Sequence, residues 1–187
     1  QYGRSMEEQG QLITRAQSGD SWAMEELLAQ LRPQVVRRCA RLLPHTLDAE
    51  EAAQDALMSI ATHLKDYNGS GSFMGWVTVI ASNSARQTYR TLKRRFAERA
   101  VSELPVAPDP RTTSVIAGNR IDLLDAIEAL EIAHPETAEA FVLRDIGSLA
   151  YDEIAELTDT PLGTVKARIH TARGFVRGKL GVDVDNF

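Results

Sequence analysis

The chain has 187 residues, 43% hydrophobic and 25% charged, with a formal net charge of −5 at pH 7. That length holds one domain or two small ones, and the composition excludes a disordered chain. A single cysteine, Cys39, excludes an internal disulfide and a cysteine-rich zinc site, and no run approaches the roughly 18 apolar residues of a membrane span.

Few aromatics and many Ala, Leu, Glu and Arg residues favour helix. Gln1 to Ser5 is set aside as an expression remnant or frayed extension, with Met6 as the expected natural start. Leu12, Ile13 and Ala16 share one helical face, which ends at Gly19-Asp20-Ser21. Ser21 is expected to cap a second helix carrying Met24, Leu27, Leu28 and Leu31. Pro33 is expected near a further helix start, before Val35, Val36 and Cys39, and Pro44 ends that stretch. Asp48, Glu50 and Glu51 suit the N-terminus of a helix whose stripe is Ala53, Leu57, Ile60, Ala61 and Leu64. Asn68 to Ser72 is a loop. A long helix follows, with Phe73, Trp76, Val77 and Ile80 on one side and Asn83, Arg86, Arg90 and Arg94 towards another.

Pro105, Pro108 and Pro110 mark Leu104 to Thr113 as a linker. Beyond it come an amphipathic run through Ile121, Leu124, Ile127 and Leu130, and a helix started by Pro135 and interrupted at Gly147. Two short helices follow, Tyr151 to Leu157 and Pro161 to about Leu180. No segment alternates as a strand does. The expected fold is all-α: two small helical domains joined by a flexible linker, at 6–99 and 120–187 with the linker at 100–119. A small interface would let the two reorient.

Net charge misleads here because the charges are segregated. Arg86, Arg90, Lys93, Arg94, Arg95 and Arg99 meet only Glu98 between Asn83 and Arg99. Lys166, Arg168, Arg173, Arg177 and Lys179 meet no acid between Leu162 and Gly181. Val101 to Thr160 holds 13 acids against Arg111, Arg120 and Arg144. Separated basic blocks are a polyanion footprint, although solvated helix faces also look like this. In the last helix Val165, Ile169, Ala172 and Val176 must face inward, and Lys166, His170, Arg173 and Arg177 follow one residue later as an outward stripe. Thr160 is placed to cap that helix and Pro161 to open it. Two helices, a short turn and a basic outer face describe a helix-turn-helix that enters the major groove.

The run from Leu143 to Arg173 resembles region 4 of the extracytoplasmic-function (group IV) sigma factors of bacterial RNA polymerase, most specifically at Pro161 to Lys166, Arg168 and Ala172-Arg173. Gly19-Asp20 with Glu25 to Leu27 resembles the start of region 2, and Asp48 to Leu64 the helix that docks on the polymerase β′ clamp. Ser72 to Arg90 resembles the segment that melts and reads the −10 element. The resemblance implies an alternative sigma factor that binds core polymerase through the β′ clamp and β flap. It implies −35 recognition by Thr164, Lys166, Arg168, His170 and Arg173. It implies −10 recognition by Asn68, Trp76, Asn83, Arg86, Arg90, Lys93 and Arg94, the loop from Tyr67 to Ser72 capturing a flipped base. Trp76 also shares a stripe with Phe73 and Ile80, which reads as core. Polymerase docking falls to Asp48, Glu51, Gln54, Asp55, Leu57 and Met58, with Ile60 beside them. An anti-sigma factor is an expected partner, in the cytoplasm. Ala167, Thr171, Gln87 and Leu130 to Pro135 depart from the family pattern, which bears on promoter sequence rather than fold.

Competing classes fare worse. His45, His63, His134 and His170 are scattered, and the glycines near Gly69 lack a phosphate-loop ending. The sequence therefore predicts no catalytic residue, metal, cofactor, membrane span or small-molecule substrate. A helix-turn-helix regulator accounts for the C-terminal half but not for Asp48 to Arg95, and a sigma-like protein acting only through a regulatory partner stays open.

Overall fold

The structure is a computed structural model that describes residues 2–102 and 115–181. Every regular element among the described residues is helical. The chain runs α1 (Tyr2–Gln17), α2 (Ser21–Leu42), α3 (Thr46–His63), α4 (Phe73–Ser102), α5 (Val115–Ala133), α6 (Pro135–Phe141), α7 (Tyr151–Leu157) and α8 (Leu162–Leu180). A 3₁₀ turn, Leu64–Asp66, follows α3, and a π turn, Val142–Ile146, follows α6. The backbone of 2–5 continues α1. The expected linker, Leu104 to Thr113, lies outside the described residues, as does 182–187.

Local chemistry explains the boundaries and corrects two expected caps. Asp20, not Ser21, caps α2: its carboxylate accepts from the Ala23 amide at 3.1 Å and is held by Arg15. Those bonds keep the Asp20 carboxyl below its ordinary pKa, the Ala23 amide contributing most. Pro33 lies inside α2 rather than at a helix start. Pro33 and Ala29, whose carbonyl loses its helical donor to the proline ring, are both exposed residues, so the break in the ladder lies on the outer side of α2. Pro161 itself is the N-cap of α8, while the Thr160 hydroxyl donates to the Thr158 carbonyl at 3.0 Å. Pro135 opens α6 as expected.

Burial follows the apolar stripes. Ala23, Leu27, Leu31, Val35, Cys39 and Leu42 form the inner face of α2. Ala49, Ala52, Ala53 and Ala56 let α3 approach closely, and the Ser84 hydroxyl of α4 donates to the Ala52 carbonyl at 2.6 Å. One apolar cluster continues from these helices into Leu123, Leu124, Ile127, Leu130, Phe141, Ala172 and Val176. The N-terminal and C-terminal halves therefore share a core in this structure. Gly147 lies at one close approach between them. A Cβ there would sit 2.8 Å from Thr78 Cγ2 of α4 and 2.7 Å from the Leu143 carbonyl oxygen.

Cys39 is fully buried, and burial pushes its thiol pKa up to about 12. It is expected not to react with a thiol reagent at pH 8 while the chain is folded, and to react at once in denaturant. Timed alkylation read by mass spectrometry checks this; rapid labelling of folded protein would contradict the burial.

Candidate nucleic-acid interface

Three surfaces hold the expected functional residues. The first is α8. Val165, Ile169, Ala172 and Val176 are buried, which turns Thr164, Lys166 and His170 outward and exposed. Ala167 and Thr171 are exposed on the same outer side. Arg168 and Arg173 do not project in the same way. Arg173 grips Asp145 through both carboxylate oxygens, at 2.8 and 2.6 Å, and this bonding holds its guanidinium pKa above the ordinary value. Arg168 pairs with Glu136 and donates to Thr160 Oγ1 at 3.3 Å. Both arginines thus tie α8 to α6, to the turn after it and to the turn before α8. Lys166 and His170 stay exposed on this face and carry no such tie.

The second surface is the 67–76 loop with α4. Asn68 Oδ1 accepts from the Ser70 amide at 2.9 Å, an Asx turn that shapes the loop tip. Gly71 has φ +68°, a left-handed value that glycine adopts without strain. Trp76 is half-buried, its ring 5.8 Å from Phe73 and 5.4 Å from Tyr67. It is at once part of an aromatic cluster and a wall of a cleft with Tyr67, Asn68 and Ser70. Along α4, Asn83 is exposed and accepts from Arg86 Nη2 at 2.5 Å. Arg86 is buried, which lowers its pKa, and it pairs with Glu131 at 2.9 Å. Arg90 also reaches Glu131, at 2.8 Å. Lys93 bridges Asp125 at 2.9 Å and Glu128 at 2.7 Å. Arg94 is exposed, 3.9 Å from Glu98.

The third surface is the outer face of α3. Glu51, Gln54, Asp55 and Met58 are exposed and Asp48 is half-buried. Leu57 corrects an expectation: it is 8% exposed and belongs to the core, as does Ile60. Of the adjacent apolar pair only Met58 can face out, because Ala53, Leu57 and Ile60 complete the inner stripe. The apolar residue the sequence reading missed is Leu47, 79% exposed. The spacing 47, 51, 54, 55, 58 puts it on the outer face, and that periodicity is the signal that could have found it.

Among the described residues no group of His, Cys, Asp and Glu side chains is placed to hold a metal, and no helix is long and apolar enough to cross a membrane.

Comparison with known proteins agrees with this geometry. Family models for Sigma-70 region 2 and Sigma-70 region 4 match residues 27–95 and 120–176. The RNA polymerase sigma factor CarQ of Myxococcus xanthus is 30% identical over 173 residues, covering 90% of this chain and 95% of that protein. The RNA polymerase sigma-H factor of Pseudomonas aeruginosa is 27% identical over 177 residues, covering 90% and 92%. The ECF RNA polymerase sigma factor SigE of Mycolicibacterium smegmatis is 32% identical over 168 residues, which are 87% of this chain; the match spans only 65% of that relative. The solved structure of CnrH in complex with the cytosolic domain of CnrY shares the fold, with a TM-score of 0.54, 21% identity and coverage of 92% of this chain and 96% of that one. The chain belongs to the extracytoplasmic-function sigma factors of the sigma-70 family, as an alternative sigma factor.

Proposed function

We propose that the chain docks on core RNA polymerase through the outer face of α3, places α8 in the major groove at the −35 element, and uses the 67–76 loop and α4 to melt and hold the −10 element. The observation that carries this reading is the order of the two matched regions along a chain whose α8 turns Lys166 and His170 outward. Lys166 and His170 read bases, Thr164 supports them, and Arg168 and Arg173 chiefly position the helix. On region 2, Asn83 and Asn68 offer amides to unstacked bases, Trp76 offers a ring edge, and Arg86, Arg90, Lys93 and Arg94 hold phosphates. Region 4 meets the β flap. The chemistry is recognition, without a cofactor, and its compartment is the cytoplasm. An anti-sigma factor is a further proposed partner; CnrH was solved with the cytosolic domain of CnrY.

The test maps start sites of transcripts made with core polymerase and then compares Lys166→Ala with Arg173→Ala. Lys166→Ala is expected to lose about 1–3 kcal/mol of −35 discrimination, roughly 5- to 150-fold, with an unchanged melting temperature. Arg173→Ala is expected to lower the melting temperature as well, because Asp145 loses its bidentate partner. Equal promoter use by Lys166→Ala and the parent chain would overturn the assignment of α8.

A further inference from the structure

Four polar side chains of α2 stand on one side of the helix and belong to none of the three surfaces above. Gln34, Arg37, Arg38 and Arg41 follow the spacing that stacks side chains on a single helical face. They form one wall of a cleft of about 750 Å³. Facing them are Met74 of α4, the turn at Gly147 and Ser148, and Glu153 of α7. A cleft of that size is in the range that holds small ligands.

The three guanidiniums have no negative partner. Among the described residues none of them is paired with a carboxylate. Arg38 Nη1 donates to the Gly147 carbonyl at 3.3 Å. Arg41 Nη1 donates to the Ile146 carbonyl at 2.7 Å and to Ser148 Oγ at 2.9 Å. Among the described residues, no acceptor takes the remaining N–H groups of these two arginines or any of Arg37, which is exposed. Glu153 is the one carboxylate lining the cleft among the described residues. Its oxygens are already taken by the Ser72 hydroxyl and the Ala150 amide. Burial first, and then the Arg41 charge, hold the Arg38 guanidinium below its ordinary pKa, with Glu153 opposing the shift and Arg37 adding to it. Capping the carbonyls of the turn accounts for Arg38 and Arg41 but not for Arg37.

An anion supplies the missing counter-charge. Guanidinium forks match phosphate oxygens, two at a time. From Arg37 to Arg41 the helix rises about 6 Å, so the row follows a chain of phosphates rather than a single one. We propose that this cleft binds a short phosphate chain, carried by a nucleoside polyphosphate or by inorganic polyphosphate, with Arg37, Arg38 and Arg41 as its grip. Arg38 and Arg41 are preset by the turn carbonyls, and Arg37 closes on the ligand from the open side. Met74 offers the apolar wall on which a nucleoside would lie.

The test is isothermal titration calorimetry of the full chain at about 150 mM salt, where attraction to exposed surface charge is screened. The probes are inorganic tripolyphosphate, adenosine triphosphate and inorganic phosphate. The parent is expected to bind one tripolyphosphate, and inorganic phosphate at least about tenfold more weakly. Arg37→Gln breaks no hydrogen bond of the fold and is expected to weaken tripolyphosphate about tenfold or more, as for one lost charge-assisted contact. Arg37→Gln/Arg38→Gln/Arg41→Gln is expected to abolish binding, with circular dichroism as its fold control. The charge-matched control, Arg32→Gln/Lys65→Gln/Arg95→Gln, changes exposed residues away from the cleft. It is expected to bind within about twofold of the parent. Adenosine triphosphate binding more tightly than tripolyphosphate would assign the site to a nucleotide; equal or weaker binding would assign it to the phosphate chain alone. No saturable binding of tripolyphosphate or adenosine triphosphate by the parent would overturn the site. So would Arg37→Gln binding no more weakly than the control, and inorganic phosphate binding as tightly as tripolyphosphate would overturn the chain as its ligand.

Discussion

Replacing Leu47 and Met58 by aspartate is expected to cost the chain its hold on core polymerase while leaving its fold intact. The two side chains are 79% and 71% exposed, so removing them opens no cavity. They flank Glu51, Gln54 and Asp55 on one outward face of α3, an apolar pair rimmed by polar groups, which is the anatomy of a docking patch. Anchors of that kind cost about 2 kcal/mol or more when lost, roughly thirtyfold in affinity, and a carboxylate in their place adds desolvation. Titration of labelled core polymerase, with circular dichroism as a fold control, measures this directly. Affinity within twofold of the parent would move the docking surface off α3.

Phe141→Ala is expected to be the most damaging single change to stability. Phe141 is 1% exposed in the cluster that runs through both halves. Truncating a buried phenylalanine costs about 3–5 kcal/mol, since the neighbours fill the void only in part. Because the core is shared, urea denaturation followed by circular dichroism is expected to move as one transition to a lower midpoint. Two separated transitions, with only one shifted, would show that the halves unfold independently and that the shared core contributes little.

The fold was legible wherever one helix face had to be apolar. The spacing of Val165, Ile169, Ala172 and Val176 placed the inner face of α8, and with it the exposure of Lys166 and His170, because a 3.6-residue period leaves no other arrangement. Pro135 and the Asn68 to Ser72 loop marked boundaries for similar local reasons. What was not legible depended on distant partners. Nothing near Arg173 in the sequence names Asp145 as its partner, nor Glu136 for Arg168, so an outward stripe read as uniformly available. Leu57 and Met58 are adjacent apolar residues, and only the packing of α3 decides which one turns in. The acids of α5 read as mere charge segregation. Their spacing of three against the four-and-three spacing of α4 is a complementarity visible in the sequence, but only once the two helices are known to lie side by side.

The measurement closest to the central claim is run-off transcription with sigma-free core RNA polymerase on fragmented DNA from the source genome, with and without this chain. The account predicts discrete new transcripts whose start sites lie downstream of shared −10 and −35 sequences, and whose −35 sequence reports what Ala167 and Thr171 allow α8 to read. No new transcripts, together with no co-migration of the chain with core polymerase, would contradict it.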